Sequence, residues 1–241
     1  MFEGLYSAAS GMTAQQDRLD ALANDVANVS TTGYKHTRVA FRDLLYSRAE
    51  NGRTVHGAGA GAAVDGRSMS QGALRETGRA LDVAIEGDGF IRVRRPDGSL
   101  ALTRDGSLRA DARGRLCTAH GDLVEPPLSL PPGTSEGDVR IASDGTVSVA
   151  DRALGRLQLF TVRAPQGLRA DGQSHFVTTA ASGAAQAATG SSLVQGALEA
   201  SNVDLASAMV DMIDAQRSFQ LASRAVQTQD QMLQIANGLR S

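Results

Sequence analysis

Hydrophobic positions near the start of the chain alternate in steps of three and four residues, the spacing of one face of a helix. The positions on this seam are Leu5, Ala8, Met12, Gln15, Leu19, Leu22, Val26 and Val29. Polar residues between Gln16 and Asp25 occupy the opposite side, and Gly33 follows as a residue suited to a left-handed helix cap. The pattern predicts a helix that ends between residues 29 and 32.

A second seam of the same kind runs from about Asn202 to Leu239, a segment without proline in which Gly238 is the first glycine. Its positions are Leu205, Met209, Met212, Gln216, Phe219, Ser223, Val226, Asp230 and Leu233. Ser201 and Asn202 are the predicted N-caps, with Asp204 in the first turn, near the positive end of the helix dipole. A helix of roughly 35 residues spans about 50 Å. We therefore expect it to need a partner.

Between the two helices the pattern changes to short apolar runs separated by Gly and Asp-Gly, which is typical of strands and tight turns. The predicted strands are Val83–Ile85, Phe90–Val93, Leu100–Thr103, Val139–Ile141, Thr146–Val149 and Leu157–Val162. Hairpin turns are predicted at 96–98, 105–106 and 144–145, where glycine can take a positive φ. The expected fold class is α+β, with long terminal helices forming a coiled-coil layer around or below a central all-β domain.

Composition shifts along the chain predict four regions. An N-terminal helix and turn would occupy 1–47, a Gly-rich linker or extended segment 48–74, a β-rich core 75–185, and a linker with the C-terminal helix 186–241. The stretches 51–66 and 178–192 are rich in Gly, Ala or Ser, so we expect flexible connections there.

Charge and composition exclude several classes of function. With 241 residues and 41% hydrophobic content, the chain can build a real core. A net charge of −2 provides no basic field to attract nucleic acid or anionic lipid. Aromatic residues make up 4% and tryptophan is absent, so a deep cofactor pocket is not expected. We expect no cleaved signal peptide, and no run is long enough to insert in a membrane.

Candidate chemistry is sparse. Cys117 is the single cysteine, which excludes an intrachain disulfide and a cysteine metal cluster. The Gly57–Gly61 stretch lacks the flanking strand, helix and Lys-Ser/Thr of a phosphate-binding loop, so it is interpreted as a linker. The four histidines show no metal-ligand spacing, and no GxSxG elbow supplies a nucleophile. We predict that the protein is not an enzyme and has no cofactor and no metal site.

Several stretches resemble the flagellar basal-body rod and hook proteins. ANDVANVSTTGYK at 23–35 is similar to the N-terminal signature of that family, with Asp25 where the family pattern has Asn. LDVAIEGDGF at 81–90, followed by LTRDG at 102–106, is similar to the start of the family's core. The stretches most similar to the distal-rod type are QGALEASNVD at 195–204, MIDAQRSF at 212–219 and DQML at 230–233.

The resemblance implies a structural axial component of the bacterial flagellum, located in the basal body and exported by the flagellar type III apparatus without a cleaved signal peptide. It implies a helical homopolymer that transmits torque, with terminal helices inside and the β domain outside. Implied partners are further copies of the chain, other rod and hook proteins, and ring proteins around the rod, with no nucleic acid. The alternatives are a proximal rod or hook-type protein or, in another class, a monomeric β-domain binding module.

The polar residues on the two seams favour assembly over a self-contained helix pair, because buried amides and charges need partners that neighbouring subunits can supply. The apolar residues expected at the assembly interface are Leu5, Leu19, Leu22, Val26, Ile213, Phe219 and Leu233. The residues expected to set polar register and the helix-ending turn are Asn24, Asn28, Thr31, Gly33 and Gln216. We expect the terminal helices to order when they meet each other and neighbouring copies.

Overall fold

The computed structural model describes residues 2–44, 47–48, 55–56, 59–150 and 152–238, with the side chains of 2–5, 47–48, 55–56, 233, 236 and 237 outside that description. Within these ranges the chain forms two compact units. The helical unit draws on residues 1–27, 37–65 and 204–241, and the β unit on 28–36 and 66–203. The chain is α+β, as the sequence predicts.

The helices are α1 (Phe2–Ala27) and α2 (Leu205–Gly238), and short 3-10 turns lie at Glu136–Asp138 and Pro165–Gly167. The described strands are β1 (Thr37–Asp43), β2 (Ser47–Arg48), β3 (Val55–His56), β4 (Ala60–Arg67), β5 (Leu74–Glu76), β6 (Val83–Glu86), β7 (Phe90–Arg94), β8 (Leu100–Thr103), β9 (Leu108–Ala110), β10 (Leu116–Thr118), β11 (Leu123–Glu125), β12 (Val139–Ile141), β13 (Thr146–Val149), β14 (Arg152–Arg156), β15 (Leu159–Thr161), β16 (Arg169–Ala170), β17 (His175–Val177), β18 (Gln186–Ala187), β19 (Ser192–Gln195) and β20 (Ala197–Glu199).

In the helical unit, α1 and α2 pack against each other through small side chains. The buried apolar side chains described there are Ala14, Leu22, Ala208 and Ala215. The Arg18 guanidinium on α1 donates to Asp211 on α2 at 2.7 Å and lies over the ring of Phe41 on β1. Such a core is small, and alanine contributes little apolar area to it. The helix pair therefore has little internal stabilisation.

The predicted α2 seam is only partly covered within the chain: Leu205 and Asp230 are exposed, whereas Ser223 is half-buried. Met212, Phe219 and Val226 lie on the covered side of the helix, as predicted, whereas Met209 and Gln216 are exposed. One row of covered positions on α2 keeps the alternating spacing of four and three: Ala208, Met212, Ala215, Phe219, Ala222, Val226 and Gln229. Asp211, Ser218 and Ser223, beside this row, are also half-buried. A hydrophobicity pattern ranks methionine above alanine, but closely spaced helices select the smaller side chain.

Two local predictions near the helices also need correction. Asp204 itself caps α2, because its carboxylate accepts the Ala206 and Ser207 amide hydrogens, both at 3.3 Å. Ser201 and Asn202, the predicted caps, belong to the β unit. Part of the predicted Gly-rich linker forms β4, which pairs with β1.

The β unit is built from antiparallel ladders. Its largest sheet has the order β16-β17-β8-β7-β11-β10-β9, and β15 joins it by pairing with β7 and β18. A separate three-stranded sheet has the order β12-β13-β14, while β6 pairs with β19 and β5 with β20. The last two pairings join strands that lie far apart in sequence. The first and last strands of the β unit are therefore hydrogen-bonded to each other.

Two apolar clusters fill the β unit, and β7 contributes to both. Ile91 and Val93 point into the larger cluster with Leu81 and Val83, whereas Phe90 points into the smaller one. In that smaller cluster the ring of Phe90 meets the ring of Phe176 edge-on, with centroids 5.9 Å apart. The alternation follows the period of two along a strand.

The predicted strands are confirmed except that 157–162 contributes the shorter β15. The turns at Gly98 and Gly145 are hairpins with φ of +84° and +91°. The Asp105-Gly106 pair was predicted as a hairpin turn, which is wrong, because β9 pairs with β10 instead of β8. There Asp105 accepts from the Ser107 amide and hydroxyl and turns the chain toward a new partner strand.

Candidate functional site

A buried ion cluster lies in the β unit and joins three distant parts of the chain. Lys35 Nζ lies 2.6 Å from Glu199 Oε1, and Arg104 Nη1 lies 3.1 Å from Glu199 Oε2. The three side chains are between 0% and 2% exposed. One carboxylate is thus shared by two basic side chains, away from water. We call Lys35, Arg104 and Glu199 the ion cluster.

Backbone groups supply further hydrogen bonds to the ion cluster, although the buried Arg104 Nε has no partner among the described residues. Lys35 Nζ donates to the Ser70 carbonyl at 2.6 Å, and Arg104 Nη2 donates to the Gly87 carbonyl at 2.9 Å. The Gly72 amide donates to Glu199 Oε1 at 2.8 Å. Burial lowers the pKa of Lys35, although hydrogen bonding and attraction to Glu199 act in the opposite direction. A buried set of charges is stable only when each member keeps its partners.

Asn202, which is distant from Lys35 in the sequence, forms hydrogen bonds in the same region of the β unit. Its side-chain oxygen accepts the His36 amide at 2.7 Å, and its amide nitrogen donates to the Ser68 and Ser70 carbonyls. Arg67 donates to the Lys35 carbonyl at 2.7 Å and lies over the Tyr34 ring, 5.0 Å from its centroid. These bonds fix residues 34–36, 67–70 and 202 to one another. We call this set, with the ion cluster, the junction.

Gly33 allows the N-terminal signature to enter the junction. Its amide donates to the Glu199 carbonyl at 2.9 Å, and its φ is +66°. A β-carbon at this position would lie 2.7 Å from the Arg104 carbonyl carbon and the Asp105 amide nitrogen. Both a left-handed conformation and a close backbone approach therefore require glycine.

Gly33→Ala is expected to destabilise the β unit by at least about 2 kcal/mol more than Gly98→Ala does, because the added carbon meets backbone atoms. Gly98 is the matched control, since its φ is +84° and nothing lies within 4 Å of its β-carbon position. Urea unfolding of the full chain measures the difference. Equal losses would contradict the close approach at Gly33.

His175 lies beside the junction within the β unit. Its Nε2 is 3.3 Å from Asp122 Oδ2, and its ring is 2% exposed. The preceding residue, Ser174, donates from its hydroxyl to the Thr32 carbonyl at 3.0 Å. Burial lowers the pKa of His175, and the Asp122 carboxylate only partly offsets this. The folded state therefore favours neutral imidazole.

Acidification from pH 7 toward pH 5 is expected to lower the thermal midpoint of the chain. A folded pKa below the unfolded value of about 6.5 means that the unfolded state binds more protons in this window, so stability falls as pH falls. His175→Gln should flatten this part of the profile. The turn aspartates Asp97 and Asp144 titrate at lower pH, since hydrogen bonds from Ser99 and Thr146 lower their pKa values. An unchanged slope in the variant would contradict the role of His175.

The helical unit presents the other candidate surface. Most of the large hydrophobic side chains that are exposed in the described structure belong to this unit, and only Leu74 and Leu100 lie in the β unit. Those on α2 are Leu205, Met209, Val210, Ile213, Leu221, Met232 and Ile235. Exposed apolar side chains concentrated on one helix are typical of a protein interface.

Three family profiles match the chain. Residues 5–35 match "Flagella basal body rod protein", residues 84–149 match "Flagellar hook protein FlgE/F/G D1 domain", and residues 194–239 match "Flagellar basal body rod FlgEFG protein C-terminal". A flagellar basal-body rod protein FlgG of Borreliella burgdorferi is 41% identical over 263 residues, covering 100% of this chain and 99% of that protein. The chain belongs to the flagellar basal-body rod protein family.

Other members of the family are similar over nearly their full length. FlgG of Caulobacter vibrioides is 36% identical, covering 99% of this chain and 100% of that protein. FlgF of Mesorhizobium japonicum is 30% identical, covering 91% of this chain and 90% of that protein. Family members of this kind are structural rod proteins, and this chain is one of them, not an enzyme.

Four residues of the junction lie within the stretches through which the sequence resembles this family. Lys35 ends the N-terminal signature, Arg104 belongs to the core stretch, and Glu199 and Asn202 belong to the C-terminal stretch. None of these four was selected as a site residue from the sequence. The charges of Lys35, Arg104 and Glu199 inside the motifs were a usable signal, but the seam periodicity favours residues of the two helices.

The structure distributes the predicted interface residues over both units. Leu22 is buried, Leu19, Val26 and Phe219 are half-buried, and Asn24, Ile213 and Gln216 are exposed. Leu5 and Leu233 lie in α1 and α2, but their side chains are outside the described set. Asn28, Thr31 and Gly33 belong to the β unit, where the Thr31 hydroxyl donates to Asn28 Oδ1 at 3.1 Å. Their roles in assembly remain predictions.

Asp25, where the family pattern has Asn, is buried at the end of α1. Its carboxylate accepts the Thr37 amide, with oxygens 3.1 and 3.3 Å from the nitrogen. An asparagine oxygen accepts the same bond, so this departure keeps the contact. Neither helix, within the described residues, is both long and apolar enough to cross a membrane.

Proposed function

We propose that this protein is the distal-rod subunit of the flagellar basal body, which polymerises with itself into a helical tube that transmits torque from the motor to the hook. Support for the rod comes from FlgG relatives that match over nearly the full chain. The observation that carries polymerisation is the exposed apolar surface of the helical unit. A proximal rod role is the second candidate, favoured by the FlgF relative.

Assembly would follow from the weak core of the helix pair. Four small or medium side chains are the buried apolar residues described in it, whereas larger side chains on α2 face solvent. Neighbouring copies would cover those side chains, and their burial would offset the entropy of ordering two long helices. Other rod proteins, hook proteins and surrounding ring proteins would be the remaining partners. Export through the flagellar type III apparatus would deliver the chain.

Deletion of the chromosomal copy in the host bacterium tests the rod assignment. Basal bodies isolated from that strain should end in a truncated rod without a hook, and re-expression should restore the full length. An epitope inserted at the exposed Gly133 turn should then be labelled along the distal part of the rod. Complete rods in the deletion strain would contradict the proposal, and label confined to the motor end would favour the proximal alternative.

A further inference from the structure

A shallow cavity of about 390 Å³ lies between α1 and the start of β4 in the helical unit. Tyr6 and Leu44 are exposed at its edges, at 69% and 38%. The small or polar residues that line it are Ala9, Ser10, Thr13, Ala14, Asp17, Ala60, Gly61 and Ala62. Apart from Tyr6 and Leu44, the lining side chains are small, which leaves room for large side chains of another surface.

The outward side of α2 offers side chains of that kind. Val210, Ile213 and Leu221 are 60%, 49% and 66% exposed. With Arg217 and Arg224 they recur at three- and four-residue steps, so they share one face. This face lies opposite the alanine side that packs on α1 of the same chain. It cannot therefore reach its own chain's cavity, and an occupant from α2 must come from a second copy.

Charge favours the same pairing. Asp17 lines the cavity, Asp20 follows one turn later, and both are exposed without an ion pair among the described residues. Arg217 and Arg224 are likewise exposed and unpaired within the described part of the chain. Asp214 lies on the same face as the two arginines, so the face carries one net positive charge. An acidic cavity thus matches a basic, apolar face.

We propose that the α1 cavity of one copy receives the α2 face of Val210, Ile213 and Leu221 from the next copy. This inference rests on the polymerisation proposed above and names the two surfaces that would meet. They are different surfaces, so the contact is heterologous, and each added copy leaves one cavity and one face free. Such a contact propagates instead of closing into a symmetric dimer.

Two full-length variants test whether this contact joins two different surfaces of neighbouring copies. Ala9→Arg fills the cavity and repels the basic face, while Ile213→Asp charges the face, and both positions are exposed. Each variant alone should sediment as a monomer under conditions in which the wild type polymerises. Mixed at equal concentration, they should form a one-to-one dimer and nothing larger, because one intact cavity meets one intact face. Leu100→Asp, a comparably exposed leucine in the β unit, is the matched control and should polymerise normally.

A mixture that stays monomeric would overturn the proposal, as would normal polymers of either variant. Thr13→Arg mixed with Leu221→Asp repeats the test at neighbouring positions of the same two surfaces and should give the same dimer. If the wild type itself does not polymerise, the function proposed above is contradicted, whichever surfaces meet. Sedimentation velocity measures all of these species directly.

Discussion

Glu199→Gln is expected to lower the free energy of unfolding of the β unit by about 3–5 kcal/mol, because it leaves two buried cations without their shared anion. The glutamine keeps the shape of the side chain and can still accept the Gly72 amide hydrogen. The loss therefore reports charge pairing and not a cavity. For a unit of this size the thermal midpoint should fall by roughly 10 °C or more.

Circular dichroism of the full-length protein during thermal and urea unfolding measures this loss, with Glu76→Gln as the matched control. Glu76 lies on β5, which pairs with the strand of Glu199, but its side chain is exposed. The deficit in Glu199→Gln should shrink as pH rises, since Lys35 has a lowered folded pKa and its cost of burial falls once it loses its proton. A loss below about 1 kcal/mol would mean that the pairing contributes little.

Leu22→Asp is expected to separate α1 from α2 and to abolish polymerisation while the β unit stays folded. Leu22 is 7% exposed, and the few buried apolar side chains around it cannot offset a buried charge. Loss of the leucine side chain alone costs about 2–5 kcal/mol in a packed core. Sedimentation should show monomers, and amide resonances of the β unit should keep their wild-type positions.

Ala23→Asp is the control that distinguishes the effect of a buried charge from the effect of aspartate on helix propensity. It places the same carboxylate one residue further along α1, at an exposed position. Helical content should therefore fall in Leu22→Asp and stay near the wild-type value in Ala23→Asp. Wild-type polymerisation of Leu22→Asp would contradict the role of the helix pair in assembly.

Periodicity predicted the helices, the central strands and Gly33, because hydrophobic spacing and turn chemistry are local properties. It failed where contacts between residues distant in the sequence determine which side chains are buried or hydrogen-bonded. Met209 is more apolar than Ala208, yet the alanine faces α1, since close packing selects volume over hydrophobicity. Asn202 has the chemistry of a helix cap, but in the structure it binds His36 and Ser68.

The ion cluster shows the same limit for the candidate site. A lysine and an arginine at the ends of strands or turns are usually solvated, and their sequence positions give no sign of burial. Only the pairing of β20 with β5 places Glu199 beside Gly72 and within reach of both cations. The charged residues inside the family-like motifs were the available signal in the sequence.

Glu199 is 164 positions from Lys35 and 95 from Arg104, which has a consequence for the order of events during synthesis. A nascent chain already carries both cations long before the ribosome adds their anion. Contacts of such long sequence separation form slowly. The β unit therefore cannot complete its centre until nearly the whole polypeptide has been made. If the subunit is exported through a narrow channel, as proposed above, this delay would keep the leading end unfolded while a chaperone or export gate engages it.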